Sequence, residues 1–381
     1  MNIENLPFVF FSGIGRCGSY LLRAILDWDE QVITIPISNN FYAYWENHHC
    51  NKIKDPNKIA DIFLNQSKLR ILKNKKYLHS YSNRVYDFSN FNWMVFEKSV
   101  RKFINNNELS VKNVYIGVYS AFSEACNKNF DKAKIVVADA FYNDYSEKIL
   151  NDFPNARLLY LVRDHRGNIS SFKAFYASMY NGLVYPENNL KYGRSLYIHI
   201  LKDYMVDTMK SIHKNKRGLL SDKIKIIKYE NIIENPKDSI KDLTQWFGIS
   251  FNTSMMQLTR LGKPFFADSG FHNQKVKGFS KKPMLRWKSY LSKSEILMIE
   301  YLFQDSMINI GYKLKYHNSF LTKIIGFICC FIPWKGEILY LGHSHNPDTK
   351  TGIKNYFIFL VKAFYKIPIN IFYFLKVDIY L

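Results

Sequence analysis

Short apolar runs recur along the chain at Phe8–Phe11, Val32–Ile35, Ile135–Ala138, Leu158–Val162 and Ile224–Lys228, separated by stretches of helical spacing. Several runs are nearly continuous in apolar residues, the pattern of strands covered on both faces rather than one. Strands that alternate with helices predict a central parallel β-sheet flanked by helices, a three-layer α/β fold. Helix boundaries are legible as well. Asn235-Pro236 opens a helix with a cap and a first-turn proline, and Gly248 closes it. Ser292 and Glu295 form a capping-box pattern ahead of Ile296–Ile310, a helix that Gly311 ends. Between the second and third strands, residues 41–134 are polar, aromatic and weakly periodic, and predict a mostly helical insertion.

The pattern changes near His317, which divides the chain into a domain over 1–316 and a helical C-terminal extension over 317–381. Ile324–Trp334 is an apolar run of eleven residues, too short to span a bilayer, which needs about 17–25. Tyr356–Leu375 is aromatic and apolar, but it carries Lys362 and Lys366 one turn apart and is broken by Pro368. Two expectations stay open for it: a helix packed on the core, or a segment lying on an anionic membrane surface. Met1–Phe11 runs almost directly into the first strand with no basic segment before a long apolar stretch, so neither a signal peptide nor a signal anchor is expected.

Composition narrows the partners. In 381 residues, 47% hydrophobic and 17% aromatic side chains exclude intrinsic disorder and allow a substantial core. The 53 Lys and Arg against 32 Asp and Glu leave a formal charge of +21, which implies an anionic partner: nucleic acid, a phosphorylated nucleotide or an acidic membrane. No patterned basic and aromatic module is readable, so nucleic acid is not expected. Cys17, Cys50, Cys126, Cys329 and Cys330 lack CxxC spacing. Neither a zinc site nor a disulfide framework is expected, and the cysteine usage fits a reducing, cytoplasmic compartment.

The segment from Phe8 to Arg23 reads strand, glycine-rich turn, helix. Gly13, Gly15 and Gly18 let the backbone curl so that successive N–H groups converge on an anion. The helix starting near Ser19 adds its open N–H groups and positive dipole end, and Arg16 adds a forked cation. The glycines match the GxGxxG dinucleotide pattern, but the second strand ends Thr34-Ile35-Pro36, without the acidic residue that would hold a ribose. Gly13 to Gly18 also has Walker A spacing, yet Ser19 and Tyr20 stand at the Lys and Ser/Thr positions, which disfavours ATP chemistry. A tight strand–helix turn with a chance arginine is the structural alternative.

Residues Asn155 to Ser171 repeat the logic of strand, basic turn and helix. Arg163 falls at the strand's carboxyl end, where open α/β sheets bind ligands, and Ser171 follows eight residues later, about two helical turns on. An arginine and a hydroxyl so separated can hold one phosphate by charge-assisted hydrogen bonds. The structural alternative is a local pair between Arg163 and Asp164.

Together the two loops resemble those of sulfotransferases that use the nucleotide donor PAPS, closer to bacterial and carbohydrate-type members. The first is similar to the family's 5′-phosphosulfate loop, typically Arg-Ser-Gly-Thr-Thr before a helix. Here it reads Arg16-Cys17-Gly18-Ser19-Tyr20, with Cys17 in place of the serine and Tyr20 in place of the second hydroxyl residue. The second, with its Leu-Val-Arg-Asp-x-Arg-Gly run, resembles the 3′-phosphate loop. Lys228-Tyr229-Glu230-Asn231 is similar to the family's Arg-Tyr-Glu-Asp segment, whose tyrosine lies near the adenine; a core tyrosine is the alternative. Pro283 to Lys288 resembles the late basic loop that closes over the donor.

The resemblance implies a P-loop-like fold and transfer of a sulfuryl group from PAPS to an acceptor hydroxyl by in-line displacement, releasing PAP, with no metal. It assigns donor binding to Gly15, Arg16, Cys17, Gly18, Ser19, Tyr20, Arg163, Ser171, Tyr229, Arg286 and Lys288. Arg16 is the candidate cation beside the leaving oxygen. The acceptor needs a base. Pro36 and Ile37 occupy the closest spacing, so Glu46 is the first candidate and His48 the second, with Asp139 as a residue that orients the base. Phe41, Tyr42, Tyr44 and Trp45 around Glu46 suit a sugar ring. The expected acceptor is therefore a glycan or glycolipid, with peripheral contact to an anionic membrane through 318–381 on the cytoplasmic face. A non-catalytic nucleotide- or anion-binding protein, and a P-loop kinase-like phosphotransferase, are the alternatives.

Overall fold

The computed structural model describes residues 3–13, 15–79, 84–140, 145–179, 212, 221–267, 276–316 and 319–331. It divides into two compact units, one of Met1–Val162, Lys214–Asp268 and Lys275–Ser280, the other of Arg163–His213, Ser269–Gln274 and Lys281–Leu381.

The first unit is built on strands β1 (Phe8–Gly13), β2 (Val32–Thr34), β3 (Lys76–His79), β4 (Arg84–Asp87), β5 (Ile135–Asp139), β6 (Arg157–Val162) and β7 (Ile224–Lys228). Five of them form one sheet in the order β2-β5-β1-β6-β7, every pair parallel. These are the five apolar runs, and the α/β class follows as their alternation with helices predicts. Phe8, Val9, Phe10 and Phe11 are all buried because helices cover both faces of the sheet. The Phe10 ring meets Tyr115 edge-on at 5.3 Å, and Phe8 lies 4.6 Å from Phe153. β1 and β6 are neighbours whose onward connections lead to opposite edges, so the switch point of the sheet lies at their carboxyl ends.

The helices of this unit up to β6 are α1 (Ser19–Leu26), α2 (Phe41–Asn47), α3 (Pro56–Leu64), α4 (Ser67–Arg70), α5 (Trp93–Asn106), α6 (Val111–Ala125) and α7 (Ser146–Asp152). Between β2 and β5 the described residues form α2 to α6 and the antiparallel pair β3–β4. The helix Pro236–Phe247 ends at Gly248 with φ 74°, but the Asn235 side chain accepts no capping bond, so the proline alone marks its start.

The second unit holds α8 (His165–Met179), the short turns Lys282–Leu285 and Trp287–Tyr290, and the helices Lys293–Leu302, Gln304–Asn309 and Phe320–Phe331. Ser292 and Glu295 close the capping box in both directions. The helix expected over Ile296–Ile310 breaks at Phe303, whose buried ring sits 4.8 Å from the His165 ring; Gly311, at φ 82°, follows the second piece. A Cβ on Gly326 would lie 2.6 Å from the Tyr301 Cβ, so this glycine lets Phe320–Phe331 approach Lys293–Leu302 closely. Phe320, Leu321 and Ile328 of that helix are exposed. Residues 332–334 of the expected apolar run, and the whole Tyr356–Leu375 segment, lie outside the described residues. No helix among the described residues is long and apolar enough to cross a membrane.

Candidate functional site

In the first unit the loop after β1 is a backbone device. Arg16 and Gly18 take left-handed conformations, φ 68° and 105°, so backbone handedness alternates as in anion-binding nests. Gly18 is the N-cap of α1 and supplies no side-chain cap, and a helix start of this kind suits an anion. A Cβ on Gly18 would lie 2.5 Å from the Tyr229 ring, so only glycine lets Tyr229 press against the loop. Tyr229, which the sequence offered either to adenine or to the core, is thus buried and in contact with Gly18. Gly15, Cys17 and Ser19 are buried, and Arg16 is half-buried. The Tyr20 ring has the Arg23 guanidinium at 5.0 Å and that of Arg260 at 5.7 Å. Tyr20 therefore contributes its ring to a cation–π stack at the place where the family carries a hydroxyl.

Beside this loop, at the carboxyl end of β5, lies a buried polar cluster. Asp139 pairs in register with Phe11 of β1. Its Oδ2 accepts from the Arg23 guanidinium, from Ser38 Oγ at 2.7 Å and from the Asn39 N–H at 3.1 Å. The Tyr115 hydroxyl donates to the Asp139 carbonyl at 3.0 Å. Burial pushes the Asp139 carboxyl above the usual carboxylate range, and Arg23, Ser38, Lys68 and the Asn39 N–H offset this only in part.

Glu46 and His48 occupy exposed positions on and just after α2. Glu46 is ion-paired with Lys148 and accepts from the Tyr145 hydroxyl at 2.9 Å; the lysine bond holds its carboxyl below the ordinary range. His48 Nδ1 lies 2.9 Å from the Tyr44 carbonyl oxygen of its own helix. Among the aromatics expected at a sugar, Phe41 and Tyr42 are core residues, packed on Tyr115 at 4.7 and 5.4 Å. Tyr44 and Trp45 are half-buried.

The second unit builds its loop from side chains. Arg166 binds Asp164 through Nε at 2.9 Å and Nη2 at 2.6 Å, reaches Glu300 through Nη1 at 2.5 Å, and lies 4.1 Å over the Trp287 ring. Arg166 is thus a local partner of Asp164. Arg163 donates through Nη2 to the Pro283 carbonyl at 2.7 Å. A Cβ on Gly167 would fall 3.0 Å from Arg163 Nε, so this glycine keeps room for the guanidinium along the first turn of α8. The structure thus joins the Arg163 loop to the late basic loop that carries Arg286, half-buried, and Lys288, exposed; Ser171 is half-buried on α8. Below them Lys173 pairs with Glu295, both fully buried. His165 is fully buried, and burial lowers its pKa to about 4.

Sequence reasoning missed Arg23, Lys173, Glu295 and Glu300 as members of these clusters. The signal available for Arg23 was a charged residue inside the otherwise apolar stretch Leu21–Leu26, with Asp139 ending an equally apolar strand. Among the described residues no group of three His, Cys, Asp or Glu side chains is placed to hold a metal ion.

No curated protein matches the chain. Solved structures similar to it include a sulfotransferase domain from the curacin biosynthetic pathway, at 16% identity and TM-score 0.49, over 81% of this chain and 99% of that one. Sulfotransferase STF9 from Mycobacterium avium is similar at 12% identity and TM-score 0.41, over 83% and 79%. Retinol dehydratase in complex with androsterone and the inactive cofactor PAP is similar at 16% identity and TM-score 0.34, over 84% and 86%. Residues 7–253 match the sulfotransferase family, and the chain belongs to it.

Proposed function

We propose that this chain moves a sulfuryl group from PAPS to an acceptor hydroxyl and releases PAP. The observation that carries the reading is the backbone of the first loop, left-handed at Arg16 and at Gly18, the N-cap of α1, a geometry suited to a phosphate. The donor supplies the activated sulfuryl group. Arg16 stands beside the leaving oxygen and stabilises the charge that builds there, while the loop N–H groups, Ser19 and Tyr229 hold the nucleotide's 5′ side. Arg163 and Ser171, with Arg286 and then Lys288, take the 3′-phosphate.

The acceptor in this reading is a glycan or glycolipid hydroxyl, for which Tyr44 and Trp45 supply aromatic faces. The exposed Phe320, Leu321 and Ile328, with Lys323 on the same helix, support a peripheral contact with an anionic membrane. The deciding experiment measures PAP binding by calorimetry. Wild type is expected to bind, and Arg163→Ala to bind at least about 100-fold more weakly, about 2.7 kcal/mol, with an unchanged circular dichroism spectrum. Equal affinity in the two proteins rejects the assignment of this loop.

A further inference from the structure

The buried cluster at the end of β5 holds more polar groups than it satisfies. All three bonds to the Asp139 carboxylate go to Oδ2, and Oδ1 is buried without a hydrogen-bond partner. Arg23 Nη1, on the same guanidinium that holds Oδ2, is likewise buried and unpartnered. The Asn39 amide, beside the Tyr119 hydroxyl, makes no hydrogen bond of good geometry through either of its atoms. These three residues are each at least 98% buried. A buried carboxylate oxygen, a guanidinium N–H and an amide left unsatisfied together are costly in the interior, so this arrangement calls for a ligand. The group that completes it is a neutral hydroxyl, which donates to Oδ1 and accepts from Arg23 Nη1 or the Asn39 amide. A water or an alcohol has that chemistry.

Position favours the alcohol. The cluster stands at the carboxyl end of the strand beside β1, in register with Phe11, two residues short of the loop that opens at Gly13. Ligands of open parallel sheets bind at this end. We propose that Asp139 is the general base of the reaction, with Oδ2 anchored by Arg23, Ser38 and Asn39 so that Oδ1 receives the acceptor's proton. The inference rests on the sulfuryl-transfer reading above. In the step it describes, the acceptor oxygen bonds to sulfur, and the bond from sulfur to the leaving phosphate oxygen breaks. The electron pair stays on that leaving oxygen, and the hydroxyl proton passes to Asp139 Oδ1, from which solvent later takes it. Nothing is oxidised or reduced.

The surroundings suit a base. The charged and titratable groups facing Asp139 are Arg23 on α1, Lys68 on α4, and Tyr115 and Tyr119 on α6. Burial outweighs the two cations and raises the carboxyl, which brings its basicity closer to working pH than that of an exposed aspartate. Glu46 is the opposite case, exposed and held down by Lys148.

Three measurements on Asp139→Asn test the assignment. Turnover in a sulfuryl-transfer assay with PAPS and simple hydroxyl acceptors should fall at least about 100-fold, the low end of a general base's contribution, while the PAP dissociation constant stays within about threefold. The acidic limb of the wild-type pH–rate profile should lie above the ordinary aspartate range and vanish in the variant. In infrared titration of the free protein, a carboxyl band protonating above that range should be present in wild type and missing from the variant. Because the substitution leaves Arg23 unpaired, the double variant Arg23→Gln/Asp139→Asn provides a charge-neutral check, with an unchanged circular dichroism spectrum and PAP binding required of the variant that is scored. Turnover retained by either variant overturns the base alone and leaves a bound water as the cluster's occupant. Absence of any sulfuryl transfer by wild type, at full PAP binding, overturns the reading of the function and the base with it.

Discussion

The loop after β1 and the loop after β6 both place positive charge at the carboxyl end of a buried strand, but they are made of different materials. The first works through backbone: two left-handed residues, an uncapped helix start, and a glycine against Tyr229. The second works through side chains: Arg166 locked between Asp164 and Glu300, Trp287 stacked on its guanidinium, and Arg163 leaning on Gly167 and the Pro283 carbonyl. The difference explains where this chain departs from its family's pattern. Cys17 and Tyr20 stand in the first loop at the hydroxyl positions of the pattern it resembles, and in the proposed reading main-chain N–H groups serve the anion there. The Arg-Asp-x-Arg-Gly string of the second loop is intact, since each member has a specific partner.

The contrast can be broken most forcefully at Glu300. It accepts from Arg166 and from the N–H groups of Lys315 at 2.7 Å and Tyr316 at 3.1 Å. Glu300→Ala should cost about 3–5 kcal/mol of stability in urea unfolding, because it removes one of the two carboxylates on buried Arg166 and leaves the Lys315 and Tyr316 N–H groups without this acceptor. A loss below about 1 kcal/mol would show that the second loop does not depend on its ion pairs.

Acid provides a gentler probe of the same region. The folded-state pKa of His165, about 4, lies below its ordinary 6.5, so the protonated form is disfavoured in the fold. The stability this confers is fully present above pH 6.5 and is lost as pH falls toward 4, about 3 kcal/mol in all. Melting curves across that range should show the slope, and His165→Gln should flatten it. The smallest expected effect is in the first loop. Gly18→Ala should lower stability by about 1–2 kcal/mol through its positive φ, with further strain against the Tyr229 ring, and should weaken PAP binding. Unchanged affinity together with lowered stability would separate the loop's folding role from its binding role.

Much of this architecture was written locally. Continuous apolar runs specify doubly covered strands, Ser292 with Glu295 specifies a capping box, and glycines between a strand and a helix specify an anion-binding turn. Each depends on residues within a few positions of one another, so periodicity and spacing reveal them. The helix break at Phe303 was not legible, because a buried contact with His165 causes it and no Gly or Pro marks it.

The partners of the charged residues are another matter. Arg23 finds Asp139 at a separation of 116 residues, Lys173 finds Glu295 at 122, and Arg166 finds Glu300 at 134. No local rule pairs such residues; packing of distant elements removes them from water together, and only then does burial make each pairing obligatory. The same burial divides the acids. Glu46 has the more inviting sequence context, yet it lies in solvent beside Lys148, while Asp139 lies in the interior with one oxygen held and the other open. Sequence could name two loops with the pattern of an anion site, and the packed interior decided that Asp139 is buried and Glu46 is not.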